Sequence, residues 1–445
     1  MNVLRASMGL AFFCGLAWLL SSNRSRVNLR VILGGLAMQI VLAILVLKTG
    51  VGRSVLDSMS VFATTILSFG EQGARMVFGD LLTGFQVAEV QTPLANGSMP
   101  PPAEVAYFQG FPFQHAENKG LSIGIVSFAF KALPTILYFS ALMAILYYLG
   151  IMQRIIWLLA VVMSKLLRVS GAESLAMAAN VFVGQTEAPL VVRPYVSTMT
   201  RSELMALMTG GFATIAGSVL AVYIGILGPE FAGHLLAASF MSAPAAFVLA
   251  KILVPETEVS RTAGEVQMLD DDGDKPVNVL DAAAAGTSDG LKLYLNVLAM
   301  LVAFVSIVAL VDAGLGLVTV AGAELSLARL FGWVFSPVAW MMGVEWSDCQ
   351  SFGTLLGTKV AVNEFIAFGA MAELQASGGM SERSMSMAAY ALCGFANFSS
   401  IGIQIGGIAP LAPERRGEIS RLAMRAMLGG AFASWMTATV AGMFL

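Results

Sequence analysis

Gly211-Phe212-Ala213-Thr214 returns 183 positions later (394 − 211) as Gly394-Phe395-Ala396-Asn397. The surroundings return with it: Arg201-Ser202 matches Arg383-Ser384, and Pro229-Glu230 matches Pro413-Glu414, at offsets of 182 and 184. Outward from each copy the order is the same. A hydrophobic stretch broken by polar residues comes first, then an apolar run interrupted by small residues, then another apolar run. The 445-residue chain is 57% hydrophobic and 12% charged, about half the charge of a soluble domain, so most of it does not face water.

Apolar runs mark spans near residues 4–21, 29–50, 121–149, 203–227, 231–254, 291–312, 383–409 and 419–445, each close to the ~20 residues that cross a bilayer. Residues 150–169 carry Arg154, Lys165 and Arg168 on a Leu/Ile/Val background and read as an interfacial helix. The stretches 171–200 and 348–378 are hydrophobic but broken by polar residues. They read as re-entrant hairpins, which are tolerated at membrane depth where protein or a wet cavity covers the backbone. The expected fold is an all-α polytopic membrane protein with eight transmembrane helices plus two re-entrant hairpins in an inverted repeat. Its segments are 1–149, 150–255, an acidic linker over 256–290, a span in 291–320, and 321–445. Arg5 and the run from Met8 to Leu20 have the shape of a signal peptide. Without a small-x-small cleavage site, and with another span directly after it, the run reads as a retained helix.

Charge placement orients the spans. Arg24, Arg26 and Arg30, then Arg154, Lys165 and Arg168, then Arg415, Arg416, Arg421 and Arg425 fall in loops that the positive-inside rule assigns to the cytoplasm. The loop from about 71 to 120, with Glu71, Asp80, Glu89, Glu104 and Glu117, falls outside, as do both termini. The linker with Asp270, Asp271, Asp272 and Asp274 is expected in the cytoplasm, since acidic residues weigh little in that rule. The two copies thus enter from opposite faces. Inverted repeats with broken helices are a transporter's way of placing a site near the midplane. The net charge of −3 gives no reason to expect a nucleic-acid partner. Cys14, Cys349, Cys393, His115 and His234 are too scattered for a zinc site or disulfide framework.

The first hairpin contains Gly184-Gln185-Thr186-Glu187-Ala188-Pro189. A carboxylate at membrane depth is costly and by default functional. Gly184 and Pro189 suit a tip that breaks helix, and Gln185 offers the donor and acceptor that an amide-like base edge needs. The alternative is a polar cytoplasmic turn. The second hairpin contains Asn363-Glu364-Phe365-Ile366. A carboxylate there accepts hydrogen bonds from vicinal hydroxyls, or it pairs with Lys359. Asn397 and Ser400 are three apart, on one helix face; they are either ligands or interhelical hydrogen bonds. The break at Thr214-Ile215-Ala216-Gly217-Ser218 frees carbonyls for a cation, or it is a small-residue packing face.

At these residues the chain resembles the concentrative nucleoside transporter family. The resemblance rests on Gly184-Gln185-Thr186-Glu187-Ala188-Pro189-Leu190, on Asn363-Glu364-Phe365, and on Cys393 through Gly402, and it covers about residue 70 to the C-terminus. It implies a homotrimer in the cell (inner) membrane, each protomer having a scaffold and a mobile transport domain. The scaffold is mainly 1–149 and 291–320, and the two transport repeats lie in 150–255 and 321–445. It implies that Gly184, Gln185, Thr186 and Glu187 take the nucleobase, that Glu364, Asn397 and Ser400 take the ribose, and that Val219 and Phe395 shape the pocket wall. A sodium site maps onto Asn180, the carbonyls of Val183 and Ile215, and Thr214. Na+ is then the coupling ion, with H+ as alternative and no organic cofactor. Two other classes remain at this stage: a passive channel, and an intramembrane enzyme with Glu187 and Glu364 as its acid/base pair.

Overall fold

Each repeated apolar run becomes a helix, and polar residues at the helix starts explain where the helices begin. The computed structural model describes residues 2–78, 134–264, 266, 276–320 and 322–445. Helices α1 (Asn2–Leu19), α2 (Leu29–Lys48) and α3 (Gly50–Phe78) come first, then α4 (Thr135–Tyr148) and α5 (Ile151–Leu167). The first repeat comprises α6 (Gly171–Asn180), the single turns α7 (Ala188–Val191) and α8 (Arg193–Val196), α9 (Arg201–Ala213), α10 (Gly217–Leu227) and α11 (Ala232–Leu253). Next are α12 (Val279–Leu315), a hairpin of β1 (Thr319–Val320) with β2 (Ala323–Glu324), and α13 (Leu327–Met341). The second repeat is α14 (Cys349–Ala361), α15 (Glu364–Ser377), α16 (Glu382–Leu392), α17 (Phe398–Ile408) and α18 (Arg416–Gly442). The protein is mostly helical; the two-stranded hairpin is a minor departure from all-α.

The two copies share an order of elements, but the register differs from the sequence match. Short 3-10 turns at Pro229–Phe231 and Pro413–Arg415 lead directly into α11 and α18, so the Pro-Glu pair aligns. The starts of α9 and α16 are capped alike. Thr200 and Glu203 close a capping box, and the Ser381 side chain accepts from Ser384 N, satisfying amides that a helix leaves unpaired. The tetrapeptide does not align. Gly211–Ala213 form the last turn of α9, whereas Gly394, Phe395 and Ala396 lie in the break between α16 and α17. Thr214 ends α9 and Asn397 caps α17. Gly394 is required where it stands. Its φ is 141°, and a Cβ there would sit 2.8 Å from the Phe212 carbonyl oxygen and 2.9 Å from that of Ala213. The two breaks therefore touch each other.

Other expectations shift as well. Helix α3 is absent from the sequence reading, because Arg53, Asp57, Glu71 and Arg75 interrupt its apolar residues. The expected outer loop 83–120 and the first part of the expected span 121–149 lie outside the described residues. The acidic linker is shorter than expected: Asn278 caps α12, so helix begins twelve residues before 291. At 37 residues, α12 is roughly 55 Å long, more than a bilayer's ~30 Å core. By length and composition, Leu29–Lys48, Arg201–Leu227 and Pro229–Leu253 can cross a membrane. The axes of α4 and α5 meet at 77°, with Gly150 at φ 74° in the corner. Ile151, Ile155, Leu158, Val162 and Leu166 of α5 are exposed along one side.

The core lies where α9, α11 and α18 pack together. Gly429 and Gly430 of α18 make room there for Thr209 and Phe212. At one end of α11, the buried Lys251 pairs with Glu173 at 2.7 Å and donates to Ser202 Oγ at 2.9 Å. Serine and carboxylate together compensate an ammonium that would otherwise be costly to bury.

Candidate functional site

Glu364 is the first residue of α15, where Asn363 caps the helix by accepting from Ile366 N. A carboxylate at a helix N-terminus is favoured by the aligned peptide dipoles. It is 3% exposed and both of its oxygens are occupied. Tyr223 Oη donates to Oε1 at 3.1 Å, and Asn397 Nδ2 donates to Oε2 at 2.7 Å. Asn397 is itself held from behind: its Oδ1 accepts from Ser400 N at 2.8 Å and from Ser399 Oγ at 2.7 Å. Of the residues expected together here, Glu364 and Asn397 meet directly, Ser400 joins them through its backbone N–H on Asn397, and Asn397 N donates to the carbonyl of the half-buried Phe395. Lys359 does not pair with Glu364; its Nζ donates to the Ala391 carbonyl and to Ser434 Oγ, both at 2.8 Å. Tyr223 was not foreseen. Its ring packs edge-on against Phe365 and tilted against Phe368, with centroids 5.0 and 4.3 Å away, which fixes where its hydroxyl points.

In the first repeat, α6 ends at Asn180 and the chain turns back through Val181–Glu187. Gly217 N donates to the Phe182 carbonyl at 2.9 Å, and a Cβ on Gly184 would lie 3.4 Å from Ala216 Cβ. The tip thus rests on the break between α9 and α10. Asn180, Val183, Thr214 and Ile215 are gathered there, all buried. Asn180 Nδ2 donates to the Ala176 and Leu207 carbonyls at 3.0 and 3.5 Å, while its Oδ1 has no hydrogen-bond partner. Thr214 Oγ1 donates to the Gly210 carbonyl, which leaves its lone pairs available. Val219 is buried one turn into α10. Gln185 is buried with Oε1 unpartnered. Glu187 is exposed, and its Oε2 accepts from Gly184 N at 3.2 Å within the same tip. Among the described residues, no hydrogen bond or ion pair joins Glu187 to Glu364.

Helix α17 connects the two halves. Asn397 at its start holds Glu364; ten residues on, roughly 15 Å along the axis, Gly407 lies against Thr186, where a Cβ would come 2.9 Å from Thr186 Cγ2. Between them Gln404 is buried. Its Nε2 donates to the Met208 carbonyl at 2.9 Å and its Oε1 is unpartnered. A Cβ on Gly211 would approach both Gln404 Nε2 (2.6 Å) and Gln185 Cβ (3.0 Å). Asn397, Ser400 and Gln404 follow an i, i+3, i+7 spacing on one helix face, so a polar stripe runs from the second-repeat carboxylate to the first-repeat tip. Gln404 was missed, although this spacing was available in the sequence.

Residues 8–81 and 234–442 match the N- and C-terminal regions described as Na+ dependent nucleoside transporter, and residues 129–230 match a region described as nucleoside recognition. The chain belongs to the Na+-dependent nucleoside transporter family. Among relatives, the nucleoside permease NupC of Helicobacter pylori is 37% identical over 98% of this chain and 97% of that one. An uncharacterized transporter of Haemophilus influenzae is 40% identical over 100% and 98%. Mouse solute carrier family 28 member 3 is 38% identical over 98% of this chain but 58% of the longer mouse protein. The solved structure of CNTnw in an inward-facing substrate-bound state, 38% identical, superposes with a TM-score of 0.84 over 100% of this chain and 99% of that one. An outward-facing variant gives 0.85 at 38% identity, over 100% and 98%. Members of this nucleoside transporter family are membrane transporters and permeases, so the enzyme alternative is set aside.

Proposed function

We propose that this protein is a secondary active nucleoside importer, driven by sodium symport through an elevator-type alternating-access movement. The single observation that carries the nucleoside part is the buried Glu364, held by Tyr223 and Asn397 at one end of a polar stripe that leads to Gln185 and Thr186. A carboxylate that accepts two donors is suited to exchange them for the vicinal hydroxyls of ribose. Ser400 completes that end, and Val219 and Phe395 line the wall. The unpartnered Oε1 atoms of Gln185 and Gln404, with the exposed Glu187 and with Thr186 and Gly184, supply the polar edge for a base.

Sodium is supported by the first tip. The Asn180 Oδ1 atom, on a residue 1% exposed, lacks a partner, and an unpaired buried acceptor costs ~1–3 kcal/mol. A cation taken up by that oxygen, Thr214 and the carbonyls of Val183 and Ile215 relieves the cost. It also ties the tip to the α9–α10 break, ordering the base site as it binds. One charge moving down 100 mV supplies ~2.3 kcal/mol, roughly a 50-fold concentration ratio at ~1.4 kcal/mol per decade. Proton coupling is the second reading. It is favoured by Glu187, a carboxylate exposed at the tip and held only by its own turn.

The finer architecture belongs to the same proposal. Eight spans and two re-entrant hairpins sit in the cell membrane as a homotrimer, both termini outside, with lipid against the apolar flank of α5. The hairpins and broken helices of 150–255 and 321–445 form the moving part; 1–149 and 291–320 form the scaffold. The test is uptake of radiolabelled uridine and adenosine into proteoliposomes under an imposed sodium gradient and then a proton gradient. Accumulation driven by sodium is expected. Equal, non-concentrative entry under both gradients would sink the symport reading.

A further inference from the structure

Lys359 is a buried cation that the proposed transport cycle does not use. Its side chain is 0% exposed, and among the described residues it forms no ion pair with a carboxylate within salt-bridge reach. Burying an ammonium without a carboxylate partner is costly; a glutamine would fill the space more cheaply. Its position in the repeat offers a reason. In the first repeat, Asn180 closes α6 and Ala213 closes α9. In the second, Lys359 lies in the last turn of α14, two residues before Ala361 closes it, and Leu392 closes α16. Asn180 reaches the Leu207 carbonyl of α9; Lys359 Nζ reaches the Ala391 carbonyl in the last turn of α16 and Ser434 Oγ of α18. The orphaned Asn180 oxygen calls for a cation. At its counterpart the cation is already there, covalently attached, at a helix C-terminus where peptide dipoles favour positive charge. Lys359 also lies near enough to Glu364 for the two charges to interact.

We infer that the Lys359 ammonium is a tethered cation at the second-repeat counterpart of the coupling-ion cradle. The second hairpin is thereby locked permanently, while only the first is opened and closed by an exchangeable ion. This rests on the assignment of the ion to Asn180, and the experiment separates the two. Hydrogen exchange by mass spectrometry is measured on the full-length protein in detergent, with sodium and with choline. In the unaltered protein, residues 171–196 gain protection on adding sodium and residues 349–377 do not. A second hairpin that tightens with sodium as much as the first overturns the tethered-cation inference, and this arm needs no variant. A first hairpin that ignores sodium overturns the Asn180 assignment instead. In Lys359→Gln, protection over 349–377 becomes sodium-dependent, and the Hill slope of sodium-stimulated uridine binding rises from about 1 to about 2, as a second cation site requires. A folded Lys359→Gln protein whose second hairpin stays insensitive to sodium also overturns the inference.

Discussion

In the first of the two turns, Asn180–Glu187, buried polar atoms are left without partners: Asn180 Oδ1 and Gln185 Oε1 have none, and Glu187 stands exposed on a single amide of its own turn. In the second, the corresponding polar residues are satisfied. Asn363 caps its helix, Glu364 accepts from Tyr223 and Asn397, and Lys359 has a carbonyl and a hydroxyl. The two turns thus differ in saturation, although Gln404 Oε1 of the second repeat is unpartnered as well. An unsatisfied buried oxygen is an expense of ~1–3 kcal/mol until a ligand arrives, whereas a satisfied network holds its geometry in advance. The first turn keeps free acceptors, and the second has its own filled.

The largest expected effect comes from breaking the saturated half. Glu364→Gln keeps the shape but turns one acceptor into an NH2 group, which then faces the donor of either Tyr223 or Asn397. Two charge-assisted hydrogen bonds at ~1.5–3 kcal/mol each are disturbed, so uridine accumulation in proteoliposomes falls by ~100-fold or more while the protein still elutes as a folded oligomer. Normal accumulation would remove the ribose assignment and, with it, the meaning of the preformed half. On the unsaturated half, Asn180→Ala removes an oxygen that has no protein partner. The half-saturating sodium concentration rises ~10-fold, as loss of about one hydrogen-bond-sized interaction predicts, with maximal uptake nearly kept. A sodium response identical to the parent protein's places the ion elsewhere.

How much of this was legible depended on how local each signal was. Carboxylates at 187 and 364 stood out because a charge amid Phe182, Val183, Leu190 and Phe365 is costly at membrane depth. Tyr223 was hidden. It follows Val219-Leu220-Ala221-Val222 in an apolar run, and its partner Glu364 is 141 residues away, so no periodicity could pair them. The register of the repeat was also out of reach. The break holds three residues in the first copy, Thr214 to Ala216, and five in the second, Cys393 to Asn397. Identical small residues therefore fell on either side of a helix end. Gln404 is different: its spacing from Asn397 and Ser400 was there to be read, but a lone amide in an apolar helix drew no notice without knowledge of what it faces.

The smallest effect tests whether the two halves are joined where α17 meets the first tip. Gly406 and Gly407 are neighbours on that helix with unlike surroundings. A Cβ on Gly406 meets nothing within 4 Å, whereas on Gly407 it would sit 2.9 Å from Thr186 Cγ2 and 3.2 Å from Thr186 Cα. Both alanines gain the same ~0.5–1 kcal/mol of helix preference, so the difference between them isolates the contact. Gly406→Ala should leave uridine affinity within about twofold. Gly407→Ala must push the tip away, and overpacking at the lower end of ~1–3 kcal/mol weakens affinity about fivefold without changing the sodium half-saturation set at Asn180. If the two variants bind uridine equally well, Thr186 has room to retreat. The first tip then does not depend on α17 for its place, and the base and ribose ends are not held as one site by this helix.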